Sequence, residues 1–275
     1  MPLGYRKFWF TTALVLLALF LVFTIIFSTG VLLYPTLYVE QWLLHRPLTS
    51  VDCEFRTWRR FGTVQFGLIF TLALGIGCLL LGYRWRVLPY LFLLLLLGVG
   101  VEYIGKQQFP QPVPDSILTG MHSLFCPEMD HQPRSVRLSV TLGMWWTAPP
   151  LSQDAVAAEQ DAAATSFTVE GADPDYSYPS GHAIRWCFLG LVACWLFWRH
   201  VKYRALRVLL MLLALIAAFG GGFIMFYIGG HLITDLIAGY LFGAGLACCA
   251  IGLLLQNEAG KKKKSVPEKF KLAAF

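Results

Sequence analysis

Three short stretches of the chain carry side chains whose types and spacing could do chemistry together. In Gly230-His231-Leu-Ile-Thr-Asp235 a histidine and an aspartate stand four residues apart, which on a helix puts both on one face. A carboxylate so placed can accept the imidazole Nδ1–H, fix the tautomer and leave Nε2 free as nucleophile or base. Pro179-Ser180-Gly181-His182, ahead of an apolar run, reads as a tight turn opening a helix. Its backbone N–H groups and the helix N-terminus make an anion site; proline suits helix entry and glycine lets an anion come close. The third stretch, Glu102-Tyr-Ile-Gly-Lys106-Gln-Gln-Phe-Pro-Gln-Pro-Val-Pro114, places an acid and a base at the end of another apolar run. Each stretch alone is commonly structural. All three on one membrane face, in this order, are far less easily accidental.

The elements that position them follow from composition. Of 275 residues, 57% are hydrophobic and only 14% are charged, against about 25% charged in average globular chains. This excludes disorder, a collagen-like fibre and a small disulfide scaffold, and predicts an integral membrane protein. Six apolar stretches are long enough to span as helices. They lie within Phe8 to Leu33, between Arg60 and Arg84, from Val87 to Tyr103, from His182 to before Arg199, between Arg207 and Gly230, and from His231 to Leu255. The expected fold is therefore an all-α bundle of six transmembrane helices, residues 1–260. A long outer loop insertion, 107–178, separates the third and fourth spans, and 261–275 form a basic cytoplasmic tail. The N-terminal run exceeds the apolar core of a signal peptide and lacks a clear cleavage site, so it reads as a span.

Placing the charges fixes the orientation. With the N-terminus inside, 14 of the 22 basic residues fall on short inner segments: Arg6, Lys7, Arg84, Arg86, Arg199, Lys202, Arg204, Arg207 and the lysines of 261–271. The outer loop is acidic, with nine of the sixteen Asp and Glu residues. The formal net charge of +6 is thus mostly a topological signal, and a nucleic-acid partner is not expected. Trp145 and Trp146 suit the membrane interface, and Ala155 to Thr165 reads as a short helix or a linker. Cys78, Cys187, Cys194, Cys248 and Cys249 fall in spans as small packing residues. Cys53 and Cys126 fall in outer loops, where an oxidising compartment permits a bridge. No Cys/His spacing suggests a metal site, and no cofactor is expected.

With these motifs the chain resembles the type 2 phosphatidic acid phosphatase family, relatives of the vanadium haloperoxidases. That family shows KxxxxxxRP, PSGH and SRxxxxxHxxxD. Here Pro179-Ser180-Gly181-His182 is intact, His231 and Asp235 keep the third motif, and Lys106 and Pro114 keep the first. Six spans with the motifs at the outer ends of the third, fourth and sixth match the family layout. The two arginines of the pattern fall on Val113 and Met225, with Ile224 at the serine position. Neither side chain can supply the fixed charge and fork geometry of a phosphate clamp.

The resemblance implies a lipid phosphate phosphatase or phosphotransferase working through a phosphohistidine at the outer membrane face. His231 would attack phosphorus, Asp235 would orient it and His182 would protonate the leaving oxygen. Lys106, Ser180 and Gly181 would hold phosphate oxygens. For the missing clamps, Arg185, Arg134 and Arg137 are candidates, although Arg185 also suits a pairing with Glu102. The expected partners are a phospholipid or polyprenyl phosphate substrate and membrane lipids. The expected location is a bacterial inner membrane, termini cytoplasmic and site periplasmic. The alternative is a non-catalytic member of the fold that binds lipid or serves as a subunit of a membrane complex. A six-span transporter has no positive feature beyond the spans.

Overall fold

The structure, a computed structural model, describes residues 3–32, 35–36, 39, 50–109, 178–228 and 230–264, the side chains of 3–4, 50, 52–53, 56 and 258–264 excepted. Among these residues the secondary structure is entirely helical. Helix α1 covers Leu3–Ser28, the short α2 covers Ser50–Trp58, and a 3₁₀ turn follows at Arg59–Gly62. Next come α3 (Val64–Leu80), α4 (Val87–Gln108), α5 (Gly181–His200), α6 (Arg204–Tyr227) and α7 (Ile233–Lys264). Runs rich in Leu, Phe and Ile become helices because hydrocarbon offers the backbone no partner, so each N–H and C=O must bond within its own segment.

Among the described residues, five helices are long and apolar enough to cross a membrane: Tyr5–Ser28, Val87–Gln108, Gly181–His200, Arg204–Tyr227 and Ile233–Asn257. The expected second span is the shorter apolar helix Val64–Leu80, whose 17 residues rise about 25 Å. Helix α4 runs past the expected end at Tyr103 to Gln108, keeping Glu102 and Lys106 on one face as an i,i+4 ion pair. Helix α7 starts at Ile233 rather than His231, and it continues to Lys264, into the segment expected as a tail. Cys126, Val113, Arg134, Arg137, Trp145, Trp146 and Ala155 to Thr165 lie outside the described residues, as does the side chain of Cys53.

Helices α5 and α7 form the buried centre. Helix α6 packs on α5, α1 packs on α7, and α3 and α4 close the remaining side. Phe188, Val192, Leu246, Leu254 and Ile184 are fully or almost fully buried there, and Phe20 of α1 meets Phe242 of α7 with ring centroids 4.9 Å apart. Small residues let the backbones approach: Gly190 lies against Ala214 and Ala218 of α6, and Gly243 against the Ile184 carbonyl. The outward faces of α1, α3, α4 and α6 expose Leu14, Ile25, Ile69, Leu93 and Ile216. Such faces suit lipid and would be costly in water.

The bundle has two chemically different ends. At one, Tyr83 Oη meets His200 Nε2 at 3.0 Å, near the basic residues Arg84, Arg86, Arg199, Lys202 and Arg204. The other end gathers the end of α4, the entry to α5, the 3₁₀ turn and the entry to α7.

Candidate active site

The turn into α5 is held from three sides. Ser180 caps the helix, its Oγ accepting the Ala183 N–H at 3.4 Å. The Ser180 N–H donates to the Asp235 carbonyl at 3.0 Å, which ties the entry of α5 to the first turn of α7. Just upstream, Tyr178 is buried, stacked on Phe27 with centroids 4.3 Å apart, and its Oη lies 2.6 Å from Thr24 Oγ1. Burial away from water pushes the Tyr178 phenol up to about 12; the Thr24 contact opposes the shift and the Asp235 charge adds to it.

His182 and His231 come from different helix entries and face each other, ring centroids 6.2 Å apart and planes at 59°. The buried His231 stands just before α7, with Nδ1 at 3.6 Å from Asp235 Oδ2. That distance allows an ion pair but exceeds a hydrogen bond, and Nδ1 has no hydrogen-bond partner among the described residues. The difference from the helical-face expectation has a local cause. Leu232 is the residue preceding α7, and its N–H donates to Asp235 Oδ2 at 2.9 Å. Asp235, fully buried three residues on, thus reaches back as the acidic half of a capping box. The same oxygen serves the helix start and faces His231.

His182 Nε2 lies 2.9 Å from the Arg59 carbonyl. A carbonyl only accepts, so Nε2 carries the proton there. The imidazole rests on Gly62, where a Cβ would collide with the ring. No spacing in the sequence foretells this contact, because the partners are 123 residues apart.

Lys106 and Arg185 share one carboxylate. Lys106 Nζ is 2.9 Å from Glu102 Oε1, and Arg185 Nη1 pairs with Glu102 Oε2. Arg185 is buried, and its Nε donates to the Gly62 carbonyl at 2.7 Å. Arg185 is therefore directed at Glu102 and the 3₁₀ turn. Lys106 keeps about a third of its side chain exposed (35%), so it retains freedom to turn toward a ligand. Gly181 is required at the crossing, because a Cβ there would overlap the Glu102 carboxylate.

Met225 is buried at the end of α6. Its carbonyl accepts the Gly230 N–H at 2.8 Å and its Cε packs against Gly230. The side chain supports the turn that presents His231 and brings no charge. Among the described residues, no three of His, Cys, Asp and Glu gather where they could hold a metal ion.

A family model described as the PAP2 superfamily matches residues 86–258. Among solved structures, the crystal structure of the first transmembrane PAP2-type phosphatidylglycerolphosphate phosphatase, from Bacillus subtilis, is similar, with a TM-score of 0.53. The alignment covers 89% of this chain and 96% of that one at 16% identity, a likeness of fold. No curated protein sequence matches the chain significantly.

Proposed function

Because the chain belongs to the PAP2 superfamily, we propose that this integral membrane protein removes or transfers a phosphate group on a lipid through a phosphohistidine. The observation that carries the reading is the meeting of His182 and His231, 6.2 Å apart, with the buried Asp235 beside His231. In the first step His231 Nε2 forms a bond to phosphorus as the bond to the lipid oxygen breaks. His182, protonated at Nδ1 while its Nε2–H stays on the Arg59 carbonyl, gives the Nδ1 proton to the leaving oxygen. In the second step water attacks the phosphohistidine, His182 takes its proton, and phosphate leaves with the P–N bond broken. Asp235 holds the imidazolium that forms on His231. Lys106, Ser180 and Gly181 line the place where phosphate oxygens would lie.

The fold likeness to the Bacillus subtilis enzyme makes phosphatidylglycerol phosphate the first lipid to test. Phosphatidate, polyprenyl diphosphates and lipid A phosphates come next. Arg84, Arg86, Arg199, Lys202 and Arg204 lie at the bundle end opposite the site, which supports cytoplasmic termini and a site on the outer face, periplasmic if the membrane is a bacterial inner membrane. Val113 and the buried Met225 favour a second reading, a non-catalytic member that binds lipid within a membrane assembly. The deciding measurement is phosphate release from that lipid panel by the purified protein beside His231→Ala. Release by the wild type alone supports the enzyme. Equal release by both proteins, or none across the panel, overturns it.

A further inference from the structure

We propose that Thr24 and Phe27 of helix α1 are positioning residues of this site, holding the turn before α5 in register with Lys106. This rests on the phosphatase reading, which gives phosphate oxygens to Lys106, Ser180 and Gly181. Those groups come from two elements, the end of α4 and the entry to α5. A phosphate is held by both only while the two stay in register. Helix α1 lies outside residues 86–258, the part of the chain that carries the family likeness.

Tyr178, two residues before Ser180, is the point of contact. Its buried ring stacks face to face on Phe27, with planes at 7° and centroids 4.3 Å apart. The hydroxyl is fixed in direction as well. Thr24 donates its one hydroxyl proton to the Phe20 carbonyl at 2.8 Å. At the 2.6 Å contact the Tyr178 O–H is therefore the donor and Thr24 Oγ1 the acceptor. Phe109, which caps the end of α4, meets both rings edge-on, 6.1 Å from Phe27 and 5.5 Å from Tyr178. Its N–H donates to the Gly105 carbonyl at 3.0 Å. The Tyr178 carbonyl and the Pro179 ring rest in turn on Gly105, where a Cβ would collide with both. Lys106 follows Gly105 in the chain and Ser180 follows Pro179. Rings from α1, α4 and the turn thus meet where the two halves of the phosphate seat adjoin, and Thr24 sets how deep the Tyr178 ring lies. A displacement of about an ångström in such a seat can cost up to 10²-fold in rate.

The test compares Thr24→Val, Thr24→Ser and Phe27→Leu with Thr12→Val, which removes a hydroxyl bonded to the Phe8 carbonyl within the same helix. Turnover of a lipid phosphate, inhibition by inorganic orthophosphate and the thermal midpoint are measured for each, with kinetics taken well below the midpoints. Thr24→Val and Phe27→Leu should each fall about tenfold in kcat and in orthophosphate affinity. Thr24→Ser keeps the acceptor and, like Thr12→Val, should stay within about twofold of wild type. Tyr178→Phe removes the same hydrogen bond from the other side and gives the same comparison if Thr24→Val does not fold. Lowered midpoints with kcat and orthophosphate inhibition within about twofold of wild type make α1 a structural support alone. That result overturns the proposal and leaves the phosphatase reading standing. A wild type inert on every lipid defeats the phosphatase reading, and orthophosphate protection against thermal unfolding then decides the role of α1. Protection weakened in Thr24→Val and restored in Thr24→Ser upholds an anion-binding turn held by α1. Protection equal in all the proteins, or absent from the wild type, overturns it.

Discussion

Glu102 and Arg185 pair across the interface of α4 and α5, with the carboxylate pressed against the α-carbon of Gly181. Lys106 binds the other carboxylate oxygen. Breaking a buried pair from one side leaves the remaining charge without compensation, which costs about 3 kcal/mol or more. Glu102→Ala should therefore lower the thermal midpoint in detergent sharply. Glu102→Gln/Arg185→Met should recover much of that loss, since removing both charges leaves none stranded. A double variant no better than Glu102→Ala would show that the pair is not what holds α4 to α5.

Gly62 and Gly181 separate position from stability. Alanine at 62 places a methyl group in the space of the His182 ring, which has to move off the Arg59 carbonyl. Misplacing a reacting group by about an ångström can cost 10²-fold in rate. Gly62→Ala should therefore lower kcat by up to about that factor while KM changes little. Alanine at 181 strikes the Glu102 carboxylate instead, so it should lower the thermal midpoint as well as the rate. The comparison is a kcat and thermal-midpoint measurement on both variants. Equal thermal losses would contradict the separation.

These contacts mark how far the sequence alone reaches. The apolar runs announce the helices, because charge is excluded from them by the same hydrocarbon that enforces helix formation. His231 and Asp235, and Glu102 and Lys106, are local pairs at helical spacing and can be read from the chain. Even so, the start of α7 is displaced by two residues, because the Leu232 N–H captures the Asp235 carboxylate. Arg185 pairing with Glu102 is suggested by the cost of an unpaired arginine in a span. The 3₁₀ turn gives no such local sign. Arg59 and Gly62 reach His182 and Arg185 only through the packing of α3 beside α5, and no periodicity encodes a contact between carbonyl groups and side chains so distant in sequence.

Tyr178 gives the site a pH-dependent component of stability. Its folded-state value of about 12 lies above the ordinary phenol value near 10. The sign follows from which state keeps the proton. Below about pH 10 both folded and unfolded phenols are neutral and the contribution is complete. As pH rises towards 12 the unfolded chain ionises first, and this stability is lost. Thermal midpoints measured from pH 9 to 12 should therefore fall more steeply for wild type than for Tyr178→Phe. At pH 7 the phenylalanine variant should be less stable by about 1 kcal/mol, for the lost Thr24 contact. Parallel curves would remove the titration.

Asp235 is tied to the fold by its backbone carbonyl and by Oδ2, the oxygen that also faces His231, and an isosteric change can tell a capping role from a role in the proposed chemistry. Its backbone carbonyl accepts from Ser180, and its Oδ2 accepts from the Leu232 N–H while facing His231 Nδ1 at 3.6 Å. In Asp235→Asn the backbone bond to Ser180 is untouched, and the amide oxygen can still accept from Leu232. The folded state should thus lose little, whereas Asp235→Ala should lose about 1 kcal/mol with the helix-start bond. What asparagine cannot do is stabilise positive charge on the imidazole. If His231 is the nucleophile, phosphorylating it creates that charge, so kcat should fall by about 10²–10⁴-fold. Phosphoenzyme trapped by rapid acid or base quench with labelled lipid should decline in step, and should be absent from His231→Ala. Wild-type turnover in Asp235→Asn would confine the carboxylate to helix capping and remove it from the mechanism.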